Sequence, residues 1–130
     1  MFRHFTPRAA LISSALVASS VLIGCGGNAS NNPPPPVDAD LVVTAVPPLR
    51  WDAESYAVSA GEVTVAMRNE DVIRHTLVVL RDKDVVGGME LAVNRRGDVD
   101  TGTITLEPGT YRIFCTVPGH QNMNSELIVS

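Results

Sequence analysis

Ten residues near the C-terminal end, Phe114-Cys115-Thr116-Val117-Pro118-Gly119-His120-Gln121-Asn122-Met123, set the hardest condition that this chain's fold has to meet. They place a thiol, an imidazole and a thioether within nine residues, on a Pro-Gly turn that follows a run with strand character. All three groups are soft or borderline metal ligands. The rest of the chain has to supply a rigid frame and one more imidazole.

Counting residues narrows where that imidazole comes from. The chain holds three His, at 4, 75 and 120, and two Cys, at 25 and 115. Residues 1–24 begin with Arg3 and Arg8, continue as an uncharged stretch from Ala9 to Gly24 and end in Leu22-Ile23-Gly24-Cys25. That is the charged, apolar and small-residue order of an export signal. A stretch of sixteen uncharged residues with four Ser is short of the roughly twenty apolar residues that cross a bilayer as a helix. With His4 in the signal and Cys25 at its end, the remaining chain has one thiol and two imidazoles. No disulfide forms within it, and Cys115 is free for chemistry. Cys with two His and a weak Met is the set that suits a single copper able to cycle between Cu(I) and Cu(II). Each residue alone has a plainer explanation: a Cys at a strand end as a small hydrophobe, a Met in the core, a His at the surface. Their joint placement is what points to a metal.

Residues 25–39 form a different region. Gly26 to Asn32 and the four prolines Pro33 to Pro36 cannot build a core, and the prolines favour extended polyproline II. The stretch from Gly26 to Ala39 is expected to act as a tether spanning up to roughly 40 Å, at about 3.1 Å per residue.

From 40 to 130 the signals are those of strands. Leu41 to Val46 is apolar and β-branched and stops at Pro47-Pro48, and Tyr56 to Val58 leads to a turn at Ala60-Gly61. Val63, Val65 and Met67 alternate with Thr64, Ala66 and Arg68, the period of a half-buried strand. Asn69-Glu70-Asp71 turns the chain before a strand from His75 to Leu80, which a polar break from Arg81 to Asp84 follows. Met89 to Val93 suits a short helix or a strand, with a turn at Asn94 to Gly97. Thr103 to Leu106, Tyr111 to Cys115 and Leu127 to Val129 complete the set. Seven or eight short strands predict an all-β antiparallel sandwich.

Three stretches resemble the cupredoxins, the small blue copper proteins that include plastocyanin, azurin and amicyanin. They are Asn69-Glu70-Asp71-Val72-Ile73-Arg74-His75, Leu106-Glu107-Pro108-Gly109-Thr110-Tyr111, and Cys115-x4-His120-x2-Met123. The resemblance implies a Greek-key β-sandwich in which His75, Cys115 and His120 are trigonal copper ligands and Met123 the long axial one. It also implies that Tyr111 steadies the strand before the Cys, and that His120, beside Val117 and Pro118, is the electron port. The Cys-to-His gap is like that of azurin, and the short His-to-Met gap is like that of amicyanin. Thr76 stands where plastocyanins and azurins usually carry Asn, and Thr116 matches a hydroxyl residue often found after the Cys. The region is also similar to the binuclear copper domain of cytochrome oxidase subunit II, which needs a second Cys that 40–130 lacks. A trinuclear cluster would need more His than two.

Leu-Ile-Gly-Cys similarly resembles the lipobox of bacterial lipoproteins, which implies an acylated Cys25 as mature N-terminus and an exported, lipid-anchored protein facing the periplasm or cell exterior. Two or three acyl chains hold such a protein stably on a membrane. Removing Arg3 and Arg8 from ten Lys and Arg leaves eight against fourteen Asp and Glu, a net charge of -6. That balance disfavours nucleic acid and anionic membrane surfaces. A monomeric one-electron carrier serving redox partner proteins is the first expectation, with copper delivery as the alternative and a metal-free adhesion module as a third. Asp82, Asp84, Asp98 and Asp100 are open to two readings, guidance of a basic partner or simple solvation.

Overall fold

The computed structural model describes residues 38–130. The export signal, Cys25 and most of the tether lie outside the described residues. Among those described there is no helix. Ten strands run in chain order: β1 (Leu41–Val46), β2 (Arg50–Trp51), β3 (Ser55–Val58), β4 (Gly61–Asn69), β5 (His75–Arg81), β6 (Asp84–Val85), β7 (Leu91–Val93), β8 (Val99–Leu106), β9 (Gly109–Phe114) and β10 (Asn124–Val129).

They form two sheets. One has the order β2-β1-β4-β8; the other runs β3-β10-β9-β5-β6, with β7 pairing the start of β5. The expected sandwich is present, and its sheets are mixed where an antiparallel arrangement was expected. β1 pairs β4 in parallel, with Leu41 opposite Val65, and β10 pairs β3 in parallel, with Leu127 opposite Tyr56. Alternation along a strand reports which face is buried, and it is the same for either direction of the neighbour. The strand count is higher than expected because β2, β6 and β7 have only two or three residues each. The polar break after Leu80 is a tight turn at Asp82 and Lys83, with Asp82 at φ 57, a region that Asp tolerates better than most residues. Met89 to Val93 contributes a strand, not a helix.

Val63, Val65 and Met67 from one sheet face Leu77, Val79, Ile113 and Leu127 from the other, all buried in a common core. Burying one such side chain fully is worth ~1.5–3 kcal/mol. β5 departs from alternation: His75, Thr76, Leu77, Val78 and Val79 are all buried, with β7 paired to its first three residues and β9 to Val78, Val79 and Leu80. Cys115 and Met123 belong to this core as well.

Tyr111 fixes the strand that leads to Cys115. Its hydroxyl donates to the Glu107 carbonyl at 2.8 Å, and the Arg81 guanidinium lies 4.9 Å from its ring centroid. Tyr111→Phe keeps the packing and loses the hydrogen bond. The expected cost is about 1 kcal/mol of folding stability, read from urea unfolding curves.

Candidate metal centre

The site is assembled by three local structures at one end of the sandwich. His75 is the first residue of β5 and is fully buried. Cys115 follows the last residue of β9 and is 1% exposed. His120 arrives on the turn between β9 and β10 and is 8% exposed.

That turn is built by its sequence. His120 N donates to Val117 O at 3.0 Å, with Pro118 and Gly119 between them and Gly119 at φ 88. Proline at the second position and a positive-φ glycine at the third are what a type II turn asks for. Met123 N then donates to His120 O at 2.9 Å, and Cys115 N donates to Met123 O at 3.1 Å. The last bond continues the β9–β10 ladder, in which Phe114 lies opposite Asn124, so the loop is closed at its base.

The side chains converge. One ligand atom from each of His75, Cys115 and His120 lies within 4.8 Å of the others. Cys115 Sγ is 3.6 Å from His120 Nδ1, and the two imidazole rings are 4.9 Å apart between centroids. His75 Nε2 meets Asp71 Oδ2 at 3.2 Å, while His75 Nδ1 is buried without a hydrogen-bond partner. An unpartnered nitrogen in the interior is costly unless something binds it. Burial pushes the His75 pKa below its ordinary 6.5 and so favours the neutral ring, against the opposing pull of the Asp71 hydrogen bond. Buried thiol, unpartnered imidazole nitrogen and second imidazole together fit a soft or borderline metal ion. Met123 is fully buried beside this group, its backbone tied to both Cys115 and His120.

Two threonines brace the thiol. Thr76 N donates to Cys115 Sγ at 3.4 Å, and Thr76 Oγ1 lies 3.7 Å from the same sulfur. Thr76 Oγ1 also accepts from Thr116 N at 2.9 Å and meets Thr116 Oγ1 at 2.7 Å. The bridge between these positions therefore exists with Thr in place of Asn. Asp71 is a participant that sequence reasoning missed: it was visible only as part of a turn, and nothing in a turn signal says which way its carboxylate faces. Of the four acidic residues Asp82, Asp84, Asp98 and Asp100, the last lies on β8 and accepts from Ala92 N and Thr101 N, and Asp98 accepts from Asn94 N and Arg95 N. Those contacts, led by the Asn94 amide, hold the Asp98 carboxyl below its usual range.

No protein-family model matches the chain, and no curated protein matches it. Solved structures do. An azurin, Az-iso2 from Methylomonas sp. strain J, superposes with a TM-score of 0.58 at 18% identity, covering 68% of this chain and 95% of its own. A reduced amicyanin carrying a proline-to-phenylalanine substitution superposes at 0.53 with 19% identity, covering 74% of this chain and 87% of its own. The fold is that of the cupredoxins. Within this cupredoxin fold the His-Cys-His group falls on the ends of two neighbouring strands and the loop beyond them.

Thr76→Val tests the brace. It keeps the shape of the side chain and removes the hydroxyl that Thr116 uses. The metal-free protein should lose about 1 kcal/mol of stability in denaturant titrations while remaining folded.

Proposed function

We propose that this protein is a mononuclear type 1 copper protein that carries single electrons at the outer face of a bacterial membrane. The observation that carries the proposal is the convergence of His75, Cys115 and His120 ligand atoms within 4.8 Å, with His75 Nδ1 buried and unpartnered. His75, Cys115 and His120 would hold the ion, with Met123 as a further, weaker sulfur donor. Copper, when bound, supplies a one-electron Cu(I)/Cu(II) couple.

The chain's own part is to hold the donors still. His75 and Cys115 sit on strand ends, braced by Asp71 and Thr76, so their positions are set before any electron moves. Their burial excludes water. Four donors leave no open position for a substrate, which supports a carrier over an enzyme. His120 is the most exposed of the four at 8%, and Pro118 beside it is exposed. Val72 and Ile73, on the loop that delivers His75, are 66% and 40% exposed. Exposed apolar residues on the two loops that carry the histidines suit brief contact with redox partner proteins.

The membrane location rests on Leu22-Ile23-Gly24-Cys25 and the Pro-rich tether, which are sequence features. Acylation of Cys25 would leave the domain free to meet its partners. Copper delivery is the less favoured reading. It would be helped by exposed Met or His outside the site, and Met67 and Met89 are buried at 0% and 7% exposure.

Copper(II) added to the full chain should produce an intense thiolate-to-copper band in the visible spectrum, and Cys115→Ser should abolish it. A colourless adduct with no reversible one-electron wave sinks the electron-carrier reading. Met123→Leu should keep the band and raise the reduction potential, because loss of a sulfur donor disfavours the oxidised ion; an unmoved potential removes Met123 from the ligand set.

A further inference from the structure

Asp71 is buried at 7% exposure and turns its carboxylate to His75. The loop that carries it is pinned from both sides. Asn69, 2% exposed, accepts from Asp71 N through Oδ1 at 2.9 Å and donates from Nδ2 to Ile73 O at 2.8 Å. The Asn69 backbone is tied in turn to the next loop, donating to Asp98 O at 3.0 Å and accepting from Gly97 N at 2.8 Å. So held, Asp71 uses Oδ1 to accept from Val72 N at 2.7 Å and turns Oδ2 to His75 Nε2 at 3.2 Å. Both oxygens face nitrogen donors, the arrangement of an acceptor-only carboxylate.

We infer that Asp71 is a positioning residue that fixes His75 as its Nε2–H tautomer and, by its charge, biases bound copper toward the oxidised state. The inference rests on the copper reading above. Its first half follows from geometry: a proton on Nε2 is shared with the carboxylate, and Nδ1, which has no partner in the protein, keeps its lone pair. The second half follows from charge. A backbone carbonyl would orient the ring equally well with no net charge. A carboxylate adds a negative charge one imidazole away from the ligand nitrogen, makes that nitrogen a stronger donor, and favours the more positive of two oxidation states. Because both groups are buried, water screens this effect weakly.

Two measurements test it on the full chain. In the metal-free wild type, long-range proton–nitrogen NMR correlations should show His75 protonated at Nε2; protonation at Nδ1 overturns the tautomer assignment. In the copper-loaded protein, Asp71→Asn keeps an acceptor oxygen and removes the charge. It should retain the visible band, while voltammetry shows the Cu(I)/Cu(II) ratio at fixed potential moved about tenfold toward Cu(I), which is about 59 mV for one electron. Asp71→Glu should recover part of that shift. An Asp71→Asn protein with the wild-type band and the wild-type potential overturns the charge effect, since a purely structural role would not move the potential. If Asp71→Asn fails to fold, the wild-type tautomer and the Asp71→Glu potential decide: a Glu variant matching the wild type within a few-fold supports the charge, and one shifted tenfold overturns it. A wild-type protein with no thiolate-to-copper band fails the copper reading instead, and the metal-free tautomer still stands or falls by itself.

Discussion

The register between β5 and β9 is the constraint on which everything at the site depends. Val78 lies opposite Phe114 and Val79 opposite Ile113. Continued toward the loop end, the same register sets Thr76 against Thr116, where the structure has its hydroxyl bridge, and Leu77 against Cys115. On the other edge of β9, Phe114 opposite Asn124 sets Cys115 against Met123, and their backbones bond. Side chains directly opposite one another point to the same face of a sheet. His75, Leu77, Cys115 and Met123 therefore all turn into the core. A one-residue slip of β5 would send His75 and Leu77 outward together.

This explains what was readable from residues alone. The strands around Val65, Leu77 and Ile113 were legible because alternating or β-branched apolar runs report burial directly. The grouping of Cys115 with His120 was legible because one short loop carries both, and the Pro118-Gly119 pair states how that loop turns. His75 was found by elimination. What stayed hidden is set by orientation and by partners distant in sequence. Val43 pairs Met67 in a parallel ladder, and neither residue's pattern names its neighbour's direction. Leu91–Val93 is too short to carry a period of its own, and becomes a strand only because β5 offers it an edge. The facing of Asp71 depends on Asn69, whose amide bonds at both ends of the loop.

The site is also where the core gives up apolar packing. His75, Thr76, Asp71 and His120 are buried polar residues in a domain whose other interior positions are mostly Val, Leu, Ile and Met. Such groups destabilise a fold unless their hydrogen bonds are met. Here nearly all are met in advance: Thr76 by Thr116 and Cys115, Asp71 by Val72 and His75, the turn by its own backbone. His75 Nδ1 is left over, a buried ring nitrogen with no partner in the protein, in the same group as the Cys115 thiol.

The two histidines are held in contrasting ways, and the contrast suits different duties under the proposed function. His75 is paired to β7, anchored through one ring nitrogen to a carboxylate, and reaches no solvent. His120 stands on a turn closed by backbone bonds and, though buried, keeps 8% exposure beside an exposed Pro118. Contacts made there touch the centre without disturbing the strands that set its geometry. Under the proposed function the two duties would fall on different residues, tuning on His75 and contact on His120, with the register of β5 and β9 setting where the first of them and Cys115 stand.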